Sequence, residues 1–522
     1  MYYSNNYNSG SQKIYIKPEW ICGRYDVNNH AALLYNLIEG LVYFFKDISA
    51  DIISEIFGTS FNSVIDIEFI CLKYDIQKDS IIRFFDKLLS LGILVNSTPT
   101  TEGIFLYRKK VGEMRLKKQM NIGTSLPDTN ETFISAEVAY KKLVKPQVGV
   151  VQIELTYNCS EKCVHCYNPG AVRCIDDINK RHKIDELHLE DYIRIIDELY
   201  DLGVYKINLT GGDPFAKPVI WEIISYLHQK GIAFDIYTNG QIIADKMEQL
   251  LMYYPKSVSV SLYSSIKKVH DTITRTPGSY DHTISVIRQL SKYGVPMYIK
   301  CCIMKTNISS YFTVKDVVEQ YGGILQYDYT LTDSLDGDKC VSNFLLLNDE
   351  ELELIMQDEY IFSNNLKNTN QLFGYEEIYM DKKSCNGGDN LYCITPEGNV
   401  QICVALPWSM GNLKVSTFSE ILYNSKNLQE WKNSTLSDFI ECGRHEYCHY
   451  CKICAGHNYI EHGTIYKPAL LNCRIAKVKK KLADKLRAGG VLLNREELYN
   501  EVAKISDSTQ SIKKIQEKSY RI

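Results

Sequence analysis

Between residues 149 and 331 the sequence switches period repeatedly. Short apolar runs of strand length at 149–155, 204–209, 233–237, 257–262, 295–303 and 324–331 alternate with stretches at 186–202, 219–230, 242–252, 280–293 and 309–321, whose apolar residues recur at helical spacing. Such alternation commits a chain to a parallel sheet, because each strand must return through its helix by a right-handed crossover. Six strands are too few for a closed eight-stranded barrel and fit an open one. In either architecture ligands meet the protein at the C-terminal ends of the strands. The expected fold class is α/β, a partial (β/α)6 TIM barrel over residues 148–335.

The flanking segments lack this rhythm. Residues 1–105 read as a winged-helix-like α+β domain. A strand at 13–17 precedes helical spacing at Ile52, Ile53, Ile56 and Phe57 and again at Ile81, Ile82, Phe85, Leu88 and Leu89; Gly92 stops the second helix, and 93–95 forms a closing strand. Asn28-Asn29-His30 marks a turn before residues 31–45. Residues 106–147 carry basic runs at 108–110 and 115–118 and a polar stretch at 124–132, and read as a solvated linker with a short helix near 135–143. A bridging region (336–380), a Cys-rich domain (381–475) and a charged helical tail (476–522) broken at Gly489-Gly490 complete the division.

Composition narrows the function classes. Lys and Arg number 59 against 63 Asp and Glu, a net charge of −4, and residues 1–100 hold eight basic against eleven acidic side chains. No phosphate-binding face is expected from that balance, so nucleic acid is excluded as a partner. No apolar run reaches the ~18 residues of a membrane span. The first ten residues have neither a basic start nor an apolar centre, so the chain is expected to act in the cytoplasm.

That expectation makes the 17 cysteines informative, since disulfides do not persist in a reducing compartment. Cys159, Cys163 and Cys166 form a Cys-x3-Cys-x2-Cys loop directly after the first barrel strand, at the ligand-binding end. Three thiolates on one loop hold three irons of a [4Fe–4S] cube and leave the fourth open to a small molecule. Structural zinc, the competing reading, takes four protein ligands. Eight more cysteines, Cys385, Cys393, Cys403, Cys442, Cys448, Cys451, Cys454 and Cys473, crowd the C-terminal region.

On these motifs, residues 149–331 resemble the radical S-adenosylmethionine (SAM) superfamily. Thr210-Gly211-Gly212-Asp213-Pro214 follows the second strand like that family's Gly-Gly-Glu-Pro motif, with Asp213 one methylene shorter than usual. Thr238-Asn239-Gly240 follows the third strand. The resemblance implies that Gly211, Gly212 and Asp213 meet the methionyl part of SAM, Ser261 and Asn307 the ribose, Arg275 the carboxylate and His165 the adenine. The C-terminal cysteines resemble a SPASM domain, which implies two auxiliary [4Fe–4S] clusters. The expected grouping sets Cys385, Cys393 and Cys403 in one, with Cys442 or a substrate thiolate as fourth ligand, and Cys448, Cys451, Cys454 and Cys473 in the other. Asn458 stands where a further cysteine is common. Cys174 and Cys340 lie near the active end as candidate hydrogen-atom or thiolate donors.

A winged-helix-like unit ahead of such a body resembles a RiPP recognition element, the leader-binding module of enzymes acting on ribosomally synthesised and post-translationally modified peptides. The resemblance implies a sactipeptide- or ranthipeptide-type maturase. A 5′-deoxyadenosyl radical would take hydrogen from a precursor peptide, and a cysteine sulfur would then bond to carbon. It also implies a precursor bound by its leader and an electron donor such as flavodoxin or ferredoxin. Peptide epimerisation, carbon–carbon crosslinking and anaerobic sulfatase maturation share the same core. A zinc-binding winged-helix regulator is the alternative from another class.

Overall fold

The computed structural model describes residues 13–122, 129–169, 185–361 and 378–505. Its centre is the expected run of parallel strands, β4 (Val150–Glu154), β5 (Lys206–Thr210), β6 (Ala233–Thr238), β7 (Ser257–Ser261), β8 (Met297–Cys302) and β9 (Ile324–Asp328), each paired to the next in chain order. The sheet extends beyond the expected six. β10 (Leu391–Ile394) pairs parallel to β4, and β11 (Asn399–Gln401) and β12 (Gly411–Asn412) add antiparallel strands outside it. The Cys-rich region is thus hydrogen-bonded into the barrel sheet rather than appended to it.

Strand residues alternate between two environments. Ile153, Leu209, Ile236, Val260, Ile299 and Leu325 join the core packed beneath the crossover helices. Their neighbours Gln152, Asn208, Asp235, Ser259, Lys300 and Gln326 point to the opposite face, the barrel interior, which is consequently polar. Closed barrels of this type fill the same space with apolar side chains. At the base of the lumen the charges are paired. Asp235 accepts from Ser257 Oγ at 2.6 Å and lies 3.6 Å from Lys206 Nζ, while Glu137 lies 4.0 Å from Lys206 and 3.8 Å from Lys256.

The N-terminal unit is α+β but built differently from the expectation. Its sheet is a meander of β1 (Ile21–Asp26), β2 (Ala31–Asn36) and β3 (Leu41–Lys46), followed by helices α1 (Asp47–Gly58), α2 (Ile67–Tyr74) and α3 (Lys78–Ser90). The Asn28–His30 turn forms, with the Asn29 amide donating to Asp26. Residues 13–17 and 93–95 contribute only isolated bridges, from Ile16 to Val95 and from Ile16 to Val64. β2 shows no alternation because both its faces are covered, so all six of its residues are buried.

Residues 106–147 are not a linker. Helix α4 (Thr101–Ile122) starts on Thr100, whose hydroxyl accepts from the Gly103 amide, and α5 (Thr129–Val144) packs on β2 and β3. Arg108, expected in solvent, is 1% exposed; it donates to the Leu251 carbonyl and stacks 4.8 Å from the Tyr254 ring centre. Arg115 bridges the two units, donating to the carbonyls of Ile38 and Gly294. Long basic side chains with a buried stem masked the helical period.

The contacts place this unit at one pole of the barrel. Its core continues into Val150, Tyr205, Ala233 and Tyr254, all at the N-terminal ends of barrel strands or just before them. Leu251 and Gly294 lie at the same end. Residues 476–522 are helical to Arg487 and from Arg495 to Lys504, parted at 488–494; residues 506–522 lie outside the described residues. No helix among the described residues is long and apolar enough to cross a membrane.

Helix α4 crosses the barrel at Gly112, where an added Cβ would sit 2.7 Å from the Ser291 carbonyl and 2.8 Å from the Gly294 amide nitrogen. Alanine in a helix gains about 1 kcal/mol over glycine, but overpacking against backbone costs up to about 3 kcal/mol. Gly112→Ala should therefore lower unfolding free energy by about 2 kcal/mol in denaturant titration; equal or higher stability would show that the crossing is loose.

Candidate active site and cysteine centres

The loop after β4 carries Cys159, Cys163 and Cys166 at the C-terminal pole of the barrel, opposite the N-terminal unit. Neighbouring loops hold it through its backbone. The Gly212 amide donates to Thr156 O at 2.7 Å and the Asp213 amide to Asn158 O at 3.0 Å. Lys162 and Val164 donate to Thr274 and Ile273 at the end of the helix Lys267–Thr274. Gly211 and Gly212 are required by this crossing: φ at Gly211 is +136°, and a Cβ on either residue would run into the backbone of 156–158.

Asp213 is fully buried. One oxygen accepts the Phe215 amide at 2.9 Å; the other accepts Thr238 Oγ1 at 2.6 Å and the Asn239 amide at 3.1 Å. Its three donors are protein groups, so this shorter carboxylate ties the loops after β5 and β6 together. Asn239 in turn donates to Cys159 Sγ at 3.2 Å. Arg275 caps its helix in a left-handed conformation and donates to the Lys162 carbonyl at 2.6 Å, a support for the cysteine loop. Asn307, expected at the ribose, is also turned inward: its amide donates to the carbonyls of Tyr263 and Cys302 and its oxygen accepts from Met304. Ser261 ends β7 on the lumen side, in register with Lys300 and bonded to Tyr263. His165 packs edge-on against Tyr263, ring centres 4.7 Å apart.

The donor set suits an iron–sulfur cluster. Burial pushes the Cys159 thiol up to about 12 and the Cys163 thiol up as well, with nearby carboxylates adding to both. Thiolates are stable there only against a bound cation, which the irons of a cluster supply. Sequence reasoning missed Glu161, a buried carboxyl in the same loop that accepts from Cys163 Sγ at 3.3 Å. It also missed Glu154, buried on β4, which accepts from the Tyr167 hydroxyl at 3.1 Å and which burial pushes up to about 7. For Glu154 the available signal was a charged residue inside a run of apolar strand; the loop around Glu161 carried none.

The C-terminal cysteines gather in two groups, but not as expected. Cys442, Cys448, Cys451 and Cys473 line one small open pocket. Cys385, Cys403 and Cys454 lie within electrostatic reach of one another. Relative to the expected grouping, Cys442 and Cys454 exchange places. Cys454 is the N-cap residue of the helix Ala455–His462, which draws it away from Cys451, while left-handed turns at Glu441 and Gly443 fold Cys442 inward. Cys393 sits on β10 opposite Gln152, facing the lumen, with Cys403 and Glu154 as its neighbours. Asn458 holds the hairpin beyond the helix, donating to Ile465 O and accepting from the Ala469 amide. Cys340 packs with Val164 and Tyr263 beside the cysteine loop. Cys174 lies outside the described residues.

The grouping gives a direct test. Cys442→Ala should lower iron by about four per chain, one cube, while Cys393→Ala should leave iron unchanged. The reverse result, read by iron analysis and paramagnetic resonance of the reduced protein, would restore the grouping with Cys393 as a ligand.

Comparison with known proteins bears on the fold and on the cofactors. Residues 153–309 match the radical SAM superfamily, and residues 385–455 match SPASM, an iron–sulfur cluster-binding domain. The antilisterial bacteriocin subtilosin biosynthesis protein AlbA of Bacillus subtilis is 23% identical over 307 residues, 58% of this chain but 65% of that protein's length. The mycofactocin maturase MftC of Mycobacterium tuberculosis is 25% identical, covering 54% of this chain and 70% of that protein. The crystal structure of Streptococcus suis SuiB bound to precursor peptide SuiA superposes over 88% of this chain and 99% of that one, with a TM-score of 0.51 and 15% identity. With iron–sulfur clusters rather than zinc behind its clustered cysteines, the chain is a radical SAM enzyme with a SPASM domain, and its cofactors are a SAM-binding [4Fe–4S] cluster, auxiliary iron–sulfur clusters and SAM.

Proposed function

We propose that the protein modifies a ribosomally made precursor peptide and joins a cysteine sulfur of that peptide to one of its carbons as a thioether. The observation that carries this reading is that two cysteine sets border one buried carboxyl. Tyr167, next to Cys166, donates to Glu154, and Cys403 of the Cys385/Cys403/Cys454 set lies within electrostatic reach of the same group. Three cysteines leave one corner of that set for an outside ligand, and a peptide thiolate is the natural one. When bound, the first cluster and SAM supply a hydrogen-abstracting 5′-deoxyadenosyl radical. The residues of this chain do the rest. Glu154 takes the thiol proton on its carboxylate, Tyr167 holds that carboxylate in place, and the loops around Asp213 and Arg275 keep the cysteine loop over the lumen. The two electrons and two protons released on carbon–sulfur bond formation leave as one hydrogen atom on deoxyadenosine, one proton, and one electron passed back through the auxiliary centres.

The N-terminal unit is read as the leader-binding element. β3 has no further strand on its outer edge among the described residues and runs beside α3, with Phe45 and Phe84 in edge contact. Strand addition there would supply main-chain hydrogen bonds, with side-chain pockets for specificity. A small electron-carrier protein such as flavodoxin or ferredoxin completes the system.

Two measurements check the reading. Incubating the enzyme with the short peptide encoded beside its gene should remove two hydrogen atoms of mass per crosslink and leave the linked cysteines resistant to alkylation; a modified peptide of unchanged mass would mean epimerisation instead. The crosslinking rate should rise with pH through about 7, since Glu154 must be ionised to accept the proton and its carboxyl titrates near there. Glu154→Gln should flatten that limb.

A further inference from the structure

Three lysines point into the barrel from its strands or just before them, and they differ in one respect. Lys206 and Lys256 at the base are compensated by Asp235 and Glu137. Lys300, higher on β8, has no ion pair among the described residues. Its Nζ lies 4.2 Å from the centre of the Tyr237 ring on β6, and its register partners are the neutral Ser261 and Gln326. The nearest carboxylates are committed elsewhere. Asp328 accepts the Thr330 amide at 2.8 Å and the Thr330 hydroxyl at 2.6 Å, closing its own turn. Asp235 serves the base network and Ser257. Burial holds the Lys300 ammonium below its ordinary value, against the weaker pull of Cys302, Asp328 and Asp235.

We infer that Lys300 is a binding residue for a carboxylate of the substrate, held in the polar lumen beneath the cysteine loop with Tyr237 beneath the ammonium. A cation with no direct ion partner among the described residues, in a half-buried polar channel, is costly until an anion completes it, and the Tyr237 face pre-orients it without neutralising it. The inference rests on the proposed peptide chemistry for the identity of the substrate. It limits the modified segment to one that presents an acidic side chain or a free C-terminus at this depth.

Small probes test it without the precursor. With clusters and SAM loaded, titration by calorimetry or ligand-observed NMR should show saturable binding of acetyl-Glu-methylamide if a side-chain carboxylate is taken, or of acetyl-Gln with a free carboxylate if a C-terminus is. Acetyl-Gln-methylamide, which has neither, should not bind. Lys300→Met should weaken the preferred probe at least tenfold and Lys300→Arg should retain it, with iron content and SAM affinity unchanged in both. Equal binding to wild type and Lys300→Met, or binding of the neutral probe as well as the acids, would overturn the inference. A loss of SAM affinity in Lys300→Met would also overturn it, by giving the lysine to the cofactor. Lys300-dependent acid binding in an enzyme that leaves the neighbouring peptide untouched would keep the site and remove the peptide reading instead.

Discussion

The catalytic end of this molecule depends on a carboxylate whose two oxygens are both bonded by the protein itself. Asp213 gathers the loops after β5 and β6 by accepting three hydrogen bonds inside the protein, and the backbone on either side of it grips the cysteine loop. A buried carboxylate is tolerable only when its lone pairs are filled, and here they are filled by the groups whose relative positions matter. Two adjacent glycines make the close crossing, and Asn239 extends it to a cysteine sulfur. The shorter side chain, set against the longer one usual in such motifs, thus becomes a fastening point for the shell around a cluster.

Much of this could be read from the residues. The β/α alternation located the six central strands, β4 to β9, because strands covered by crossover helices keep an apolar face whatever lies on the other; β10, in the Cys-rich region, it did not find. The Cys-x3-Cys-x2-Cys loop located the active pole. The failures share a cause, which is that local pattern is silent where tertiary contacts invert it. Arg108 and Arg115 look solvated in sequence, yet their guanidinium groups satisfy carbonyls at a buried seam. β2 reads as featureless because it is covered twice. Spacing alone could not divide the C-terminal cysteines, since the cap at Cys454 and the turns at Glu441 and Gly443 decide which sulfurs face each other. Asn307 was placed near a ligand by analogy of position, and its hydrogen bonds turn it inward.

The lumen is the other place where sequence said more than it first showed. Alternate residues of the barrel strands are polar or charged, so the period of two was present in what looked like apolar runs. The gradient along that lumen, from paired charges at the base to an unpaired ammonium nearer the cysteine loop, separates what holds the barrel shut from what is left open to a guest.

The seam between α4 and the barrel has a thermodynamic consequence. The N-terminal core and the strand bases share one apolar cluster, and Arg115 bonds both sides. The two units are therefore linked in stability, and free energy delivered to one is felt by the other. A ligand that binds the N-terminal sheet and not the unfolded chain raises the melting temperature of the barrel at the far pole as well, by mass action rather than by any movement between them.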